Sequence, residues 1–230
     1  MDLIQIGPRL FKLEIKRKFI ASIRLKINSP SSLSISCPHL TPTRTIHQFI
    51  QNHSKWIIKN SAKIRPKTIY KNLKNLEIIG QKYQIFIAKT NKASVLFNHA
   101  DKKIYIYSPS LSQSSLKKLI NQKFRPLALV LINRQLKSLS EQYDFEFLKV
   151  SVRNQKTRLG SCSSKGNLNF NWQIILFPPD QFRHILLHEL THLKIKNHSH
   201  KFWDQLKIYD PHTPANKIWL RQQSSKYLIF

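Results

Sequence analysis

Apolar residues recur at every second position over residues 10–37: Phe11, Leu13 and Ile15, then Ile23, Leu25 and Ile27, then Leu33, Ile35 and Cys37. A period of two is that of strands with one buried face, and Asn28-Ser29-Pro30 marks a turn, so a small antiparallel sheet is expected here. After Thr41-Pro42, a favourable cap and first helical residue, the period lengthens to that of a helix over 42–62, with Ile46, Phe49, Ile50, His53, Trp56 and Ile57 on one side. His53 reads as a core or boundary histidine and Trp56 as packing on the first sheet. Residues 65–75 are basic and weakly patterned, and read as a connection. Strands are expected again over 77–88, 94–98 and 103–107, with Gly80 giving a bend in the first. Tyr105 and Tyr107 share a face, where cross-strand packing is the ordinary role and base stacking the alternative. No internal repeat is evident.

Helical spacing returns from Ser112 to Tyr143, interrupted by Pro126, which predicts a kink or break near Arg125. Val150 and Val152 suggest a short strand. Leu168, Phe170 and Trp172 suggest a second strand returning from a loop punctuated by Gly160-Ser161-Cys162 and Lys165-Gly166-Asn167. This returning strand is expected to lie at a sheet edge, where it could add an extended peptide. Asn169 and Asn171 then share its other face. Pro178-Pro179-Asp180 opens a helix whose apolar stripe is Phe182, Ile185, Leu186, Leu190 and Leu193; another helix begins after Ser199 and a last one at Asn216. The pattern gives an α+β chain, with a β-rich N-terminal region holding one helix over 1–110, and a mainly helical region with a small antiparallel sheet over 111–230.

Composition narrows the function. The chain has 230 residues and 41% hydrophobic content, enough for a substantial core. Its longest strongly apolar run, Leu127 to Ile132, is too short to span a bilayer, so no membrane association is expected. The first residues lack the basic and apolar segments of a secretory signal. The only cysteines, Cys37 and Cys162, are far apart in sequence, which favours a reducing, cytoplasmic setting over a disulfide framework. The net charge is +28, with 39 Lys and Arg against 11 Asp and Glu spread along the chain. Such a field attracts polyanions, so non-specific binding of nucleic acid or nucleotides is expected to be salt-sensitive. No zinc-finger spacing or RNA-recognition motif accompanies it.

The chemistry lies in His188-Glu189-Leu190-Thr191-His192. On a helix, residues four apart lie on one face, so both imidazoles can reach one metal ion. Glu189 is rotated by about 100° and is placed to act as general base toward a water activated by that ion. Such a motif arises by chance about 0.01 times in a chain of this composition. A buried helix would not carry these polar groups without partners, and coordination of Zn2+ supplies them. A hydrolytic site needs a third protein ligand. Asn197 can take the left-handed conformation that ends a helix, which would swing His198 back beside it. His198 is preferred over His200, and His184, one turn before His188, is a further candidate ligand or a partly exposed neighbour. Arg158, Arg183, Tyr209 and His212 are candidates for stabilising an oxyanion, and Asn169 and Asn171 for substrate contacts. Cys162 is read as structural rather than as a nucleophile.

The blocks Arg158-Leu159-Gly160-Ser161-Cys162-Ser163, Leu168 to Trp172, the Pro178 break, His188 to His192, and Asn197-His198-Ser199 leading to Phe202-Trp203 occur in the order and spacing of the YgjP-like metallopeptidase domain family. The chain resembles that family, a zincin group similar to the SprT-like and WLM domains. The resemblance implies a zincin-like core, zinc on His188, His192 and His198, and Glu189 as catalytic acid/base. Leu159 departs from the pattern, which usually has Trp there. The function expected is zinc-dependent hydrolysis of a peptide or protein substrate. Two alternatives from other classes are a metal-dependent nucleotide phosphohydrolase and a basic nucleic-acid-associated protein with a structural zinc. A protease directed to nucleic-acid-bound proteins would lie between these.

Overall fold

The computed structural model describes residues 2–62, 73–155 and 158–228, so the connection read over 65–75 lies largely outside the described residues. The chain divides into two compact units, Met1–Thr68 and Ile69–Phe230.

In the first unit, strands β1 (Asp2–Ile6), β2 (Arg9–Arg17), β3 (Arg24–Ser29) and β4 (Ser32–Cys37) form one sheet in the order β1-β2-β4-β3. β2 pairs with β4 in parallel, so the sheet is mixed and not the antiparallel one that adjacent alternating segments suggest. Period-two placement buries Phe11, Leu13, Leu33 and Ile35 with Ile46, Ile50 and Ile57 from the helices. The helical pattern of 42–62 is divided at His53 into α1 (Thr43–Asn52) and α2 (Ser54–Ser61). There the Phe49 carbonyl is shared by the His53 backbone N–H at 3.3 Å and the His53 ring Nδ1 at 2.8 Å. His53 is exposed and Trp56 is 49% exposed, so neither belongs to the core.

The second unit starts with β5 (Asn75–Ile78), β6 (Gln81–Lys89), β7 (Ser94–Asn98) and β8 (Lys103–Ser108), in the order β5-β6-β8-β7. This repeats the first sheet's topology, including the parallel central pair, here β6 with β8. The registers match: Leu13 faces Leu33 as Ile85 faces Ile104, and Ile15 faces Ile35 as Ile87 faces Ile106. Both hairpins turn through two residues, and the first of each, Gly7 and Ile79, has positive φ. A helix follows each sheet. The repeat escapes the sequence because only the alternation is shared, while the residues filling it differ.

That second helix, α3 (Gln113–Tyr143), runs unbroken through Pro126. Pro126 lies on the exposed side, while Leu116, Ile120, Phe124, Ala128, Ile132 and Leu136 are buried before and after it. Packing on both sides offsets the hydrogen bond that proline forfeits. Phe97 of β7 meets Phe124 edge-on at 5.0 Å, which places β5 to β8 in the same unit as the long helix. The boundary expected at 110/111 therefore falls inside a compact unit.

β9 (Lys149–Arg153), β10 (Gly160–Cys162) and β11 (Asn167–Asn171) make a third sheet, ordered β10-β11-β9. The α+β class holds, but this sheet is mixed: β10 pairs antiparallel with β11, and β9 pairs in parallel with it. β11 is thus central, and the edge strands are β10 and β9. After a 3-10 turn over Trp172–Leu176 come α4 (Pro179–Lys194), α5 (His200–Tyr209) and α6 (Thr213–Gln223). The β5–β6 hairpin fixes the start of α4: the Ile79 N–H donates to the Ile175 carbonyl at 2.7 Å, and a Cβ on Gly80 would meet the Pro179 ring at 2.9 Å.

Candidate active site

α4 is buried nearly all round, with Phe182, Ile185, Leu186, Leu187 and Leu190 in the core. Its polar residues must therefore find partners within the protein. His188 and His192 lie one turn apart, with ring centroids 5.0 Å apart. α4 ends at Lys194, and its cap Ile195 is extended, with φ −132°. Among the described residues Asn197 has no positive φ, so the reversal is not the left-handed turn expected of it. The Ile195 carbonyl faces His192 Nδ1 at 3.0 Å, and the Asn197 side-chain oxygen accepts from the Ser199 N–H at 3.4 Å, closing the turn into α5.

This turn carries His198 back to the helix. Its Nε2 lies 3.0 Å from His188 Nε2 and 3.2 Å from His192 Nε2. Two residues of α5 hold it there: Trp203 donates from its indole nitrogen to the His198 carbonyl at 3.2 Å and stacks on the His198 ring at 5.6 Å. Phe202 packs at 4.5–4.9 Å from all three imidazoles. His200 is exposed at the start of α5 and outside the cluster.

Three nitrogens on one tetrahedral zinc ion lie about 3.3 Å apart, given Zn–N bonds of about 2.05 Å. The two spacings here are close to that. With Nδ1 of His192 donating to the Ile195 carbonyl, its Nε2 lone pair is left for a metal. Burial pushes His188 down to about 3, and the repulsion that a protonated His188 would meet from His192 and His198 adds to the shift. Burial also lowers His192, partly opposed by its bond to Ile195. His188 and His192 are thus held neutral, the form that binds metal. The residues fit a divalent ion.

Glu189 lies beside the cluster, 6% exposed, and burial pushes its carboxyl up to about 8 while Arg158 pulls the other way. A cavity of about 260 Å³ opens next to it, lined by Arg158, Leu159, Gly160, His184, His188 and Glu189 among others. Gly160 faces the glutamate so closely that a Cβ would lie 2.6 Å from Oε1 and 2.7 Å from Cγ. Leu159 is one of the residues that line this cavity.

A family model for the YgjP-like metallopeptidase domain matches residues 21–223. The chain belongs to that family. It is accordingly a hydrolase of the metallopeptidase type working with a divalent metal ion. No curated protein matches the chain. Two solved structures resemble it: the metallopeptidase zymogen jannalysin of Methanocaldococcus jannaschii, at 24% identity and a TM-score of 0.36 over 40% of this chain and 95% of that one, and the metallopeptidase zymogen abylysin of Pyrococcus abyssi, at 23% identity and 0.36 over 41% and 93%.

The other expected site residues separate. Arg158 lines the cavity and Asn169 lines an adjoining hollow, where its side-chain oxygen accepts from Ser151. Asn171 is fully buried and structural, donating to the Gln155 carbonyl and accepting from the Gln173 N–H. Arg183 donates to the Tyr209 carbonyl and the Tyr143 hydroxyl, while the Tyr209 ring packs on Tyr143 and Phe145. His212 caps α6, its N–H donating to Asp210. None of these last four lines the cavity. Cys162 is pushed up by burial, against a nucleophilic role.

Two residues acquire meaning only here. His184 is buried, not partly exposed, and its Nδ1 lies 2.5 Å from the Asp210 carboxylate, which also accepts from Asn216 and the His212 N–H. The sequence gives no hint of this pair, since its members are 26 positions apart and Asp210 sits in what reads as a helix stop. Gly160 was legible only as a punctuation residue.

Proposed function

We propose that this protein is a zinc peptidase in which His188, His192 and His198 hold the ion and Glu189 is the general base and acid. The convergence of three imidazole nitrogens beside a buried glutamate carries this reading. Zinc held there supplies Lewis acidity toward a carbonyl and makes water acidic enough to attack near neutral pH. Glu189 takes the proton from the attacking water and returns it to the leaving amine nitrogen as the C–N bond breaks. Arg158, on the cavity wall, is the donor available to the oxyanion. His184 lies on the same wall, but it donates its Nδ1–H to Asp210 and burial lowers its pKa, so the Nε2 of the neutral ring is an acceptor.

The substrate chain is proposed to lie along β10. Asn171 donates to the Leu159 carbonyl and Ser163 to that of Asn167, so by alternation Gly160 and Cys162 turn their backbone groups to the open edge. That places the peptide next to Glu189, which touches Gly160.

A second reading keeps the metal and changes the substrate to a phosphoanhydride. Lys149, Arg153 and Arg158 line the adjoining hollow of about 510 Å³ with no carboxylate among its lining residues. The charge of +28 further supports sequence-independent contact with nucleic acid, and two unpaired cysteines suit the reducing cytoplasm.

The test is metal content by elemental analysis on tag-free wild type and His198→Ala, followed by hydrolysis of mixed peptides and of nucleoside triphosphates with and without inorganic phosphate. Peptide cleavage that survives phosphate and disappears in Glu189→Gln supports the peptidase. Nucleotide turnover blocked by phosphate supports the second reading, and a wild type that takes up no metal ends both.

A further inference from the structure

The repeated sheet supplies an internal control. The two sheets share strand order, pairing directions and, as far as the bulge between Ile27 and Ser29, register, so the outward positions of the second sheet's centre have counterparts in the first. Glu14, Ser34, Ser36 and Lys26 of the first correspond to Phe86, Tyr105, Tyr107 and Leu96 of the second. The first sheet forms with polar residues at all four, so the architecture does not require apolar ones there. Yet the second sheet carries a ladder of rings. Phe86 stacks on Tyr105 at 5.3 Å and 18°, and Tyr105 on Tyr107 at 6.5 Å and 7°. Phe86 is 40% exposed and its neighbour Leu96 is 56% exposed.

Flat, nearly parallel rings on an open sheet face offer stacking surface, which an aliphatic docking patch would not need. Charge selects the partner. Lys82 and Lys103 share this face by strand alternation, with Glu77 opposite Lys82, and the whole segment 74–108 holds six lysines against Glu77 and Asp101. The chain's overall charge repels basic partners. A polyanion with exposed flat faces is a single-stranded nucleic acid, because a duplex keeps its base faces stacked inside.

We infer that the outer face of the β5–β8 sheet is a single-strand nucleic-acid platform, with Phe86, Tyr105 and Tyr107 stacking bases and Lys82 and Lys103 meeting phosphates. It rests on the proposed nucleic-acid contact and gives that contact a location.

The experiment is fluorescence anisotropy of full-length protein with fluorescein-labelled oligothymidylate, alone and as a duplex with oligoadenylate, across a salt series. Variants are Phe86→Ser/Tyr105→Ser/Tyr107→Ser, serine being what the first sheet uses at two of these positions, and each single substitution, in case the triple variant does not fold. Single strand is expected to bind more tightly than duplex. The triple variant is expected to lose about tenfold or more in affinity with an unchanged salt slope. Each single variant loses part of that. Wild-type affinity in the aromatic variants, or preference for duplex, overturns the platform and leaves charge-driven binding standing. Absence of binding even at low salt overturns both.

Discussion

Gly160→Ala tests whether the contact between β10 and Glu189 matters to the chemistry. The added methyl carbon would sit 2.6 Å from Oε1, 2.7 Å from Cγ and 2.8 Å from Cδ of Glu189. Ordinary carbon–oxygen and carbon–carbon contacts need about 3.5 Å, so the glutamate must retreat by about 0.8 Å. A side chain exposed at its tip could swing aside at little cost. Glu189 is 6% exposed and is overlapped along its length, so the carboxylate shifts as a whole. A misplacement of about 1 Å in a catalytic group costs on the order of 100-fold in rate. The expected result is a drop in kcat of about 10- to 100-fold, with metal content unchanged, because the three atoms nearest the added carbon all belong to Glu189 and none to an imidazole. The assay is hydrolysis of whichever substrate the wild type turns over, beside elemental analysis of the same preparations. Wild-type kcat in a folded Gly160→Ala would refute the placement of Glu189; loss of metal would refute the independence of ligands and base.

Trp203→Ala is expected to weaken metal binding about 10- to 100-fold in competition with a chelator, because the indole holds the His198 turn without being a ligand. Asp210→Ala leaves a buried histidine unpaired and should lower stability to denaturant by about 3 kcal/mol while the His188, His192 and His198 cluster still takes up metal. In the metal-free protein Glu189 is raised, so its folded form favours the proton. Its contribution to stability is full below the usual glutamate range and is lost as pH rises to about 8. Metal-free Glu189→Gln should therefore gain on wild type between those limits and hold a constant advantage above them; denaturant midpoints that track each other at every pH would contradict this.

Much of this protein is written locally. Period-two and helical spacing determined nearly every element from β2 to α6, since burial of one face imposes its period on the residues themselves. His188, Glu189 and His192 were legible because a helix converts sequence spacing directly into spatial proximity. His198 was legible because its turn is short. What the sequence did not hold was which elements meet. The parallel pairing of β9 with β11 makes the returning strand central and leaves β9 and β10 as the edges, and alternation is the same in either case. Pro126 marks a break by local rules, but burial on both sides of it keeps α3 whole. The repeat of the two sheets is one of pairing and register, carried by different residues. Arg183, Tyr209, Asn171 and His212 looked free for chemistry and are engaged in structure, whereas His184 with Asp210 and Gly160 against Glu189 are pairs distant in sequence. Such pairs depend on how helices and strands close against one another, and that is decided by the sum of the packing rather than by any one stretch.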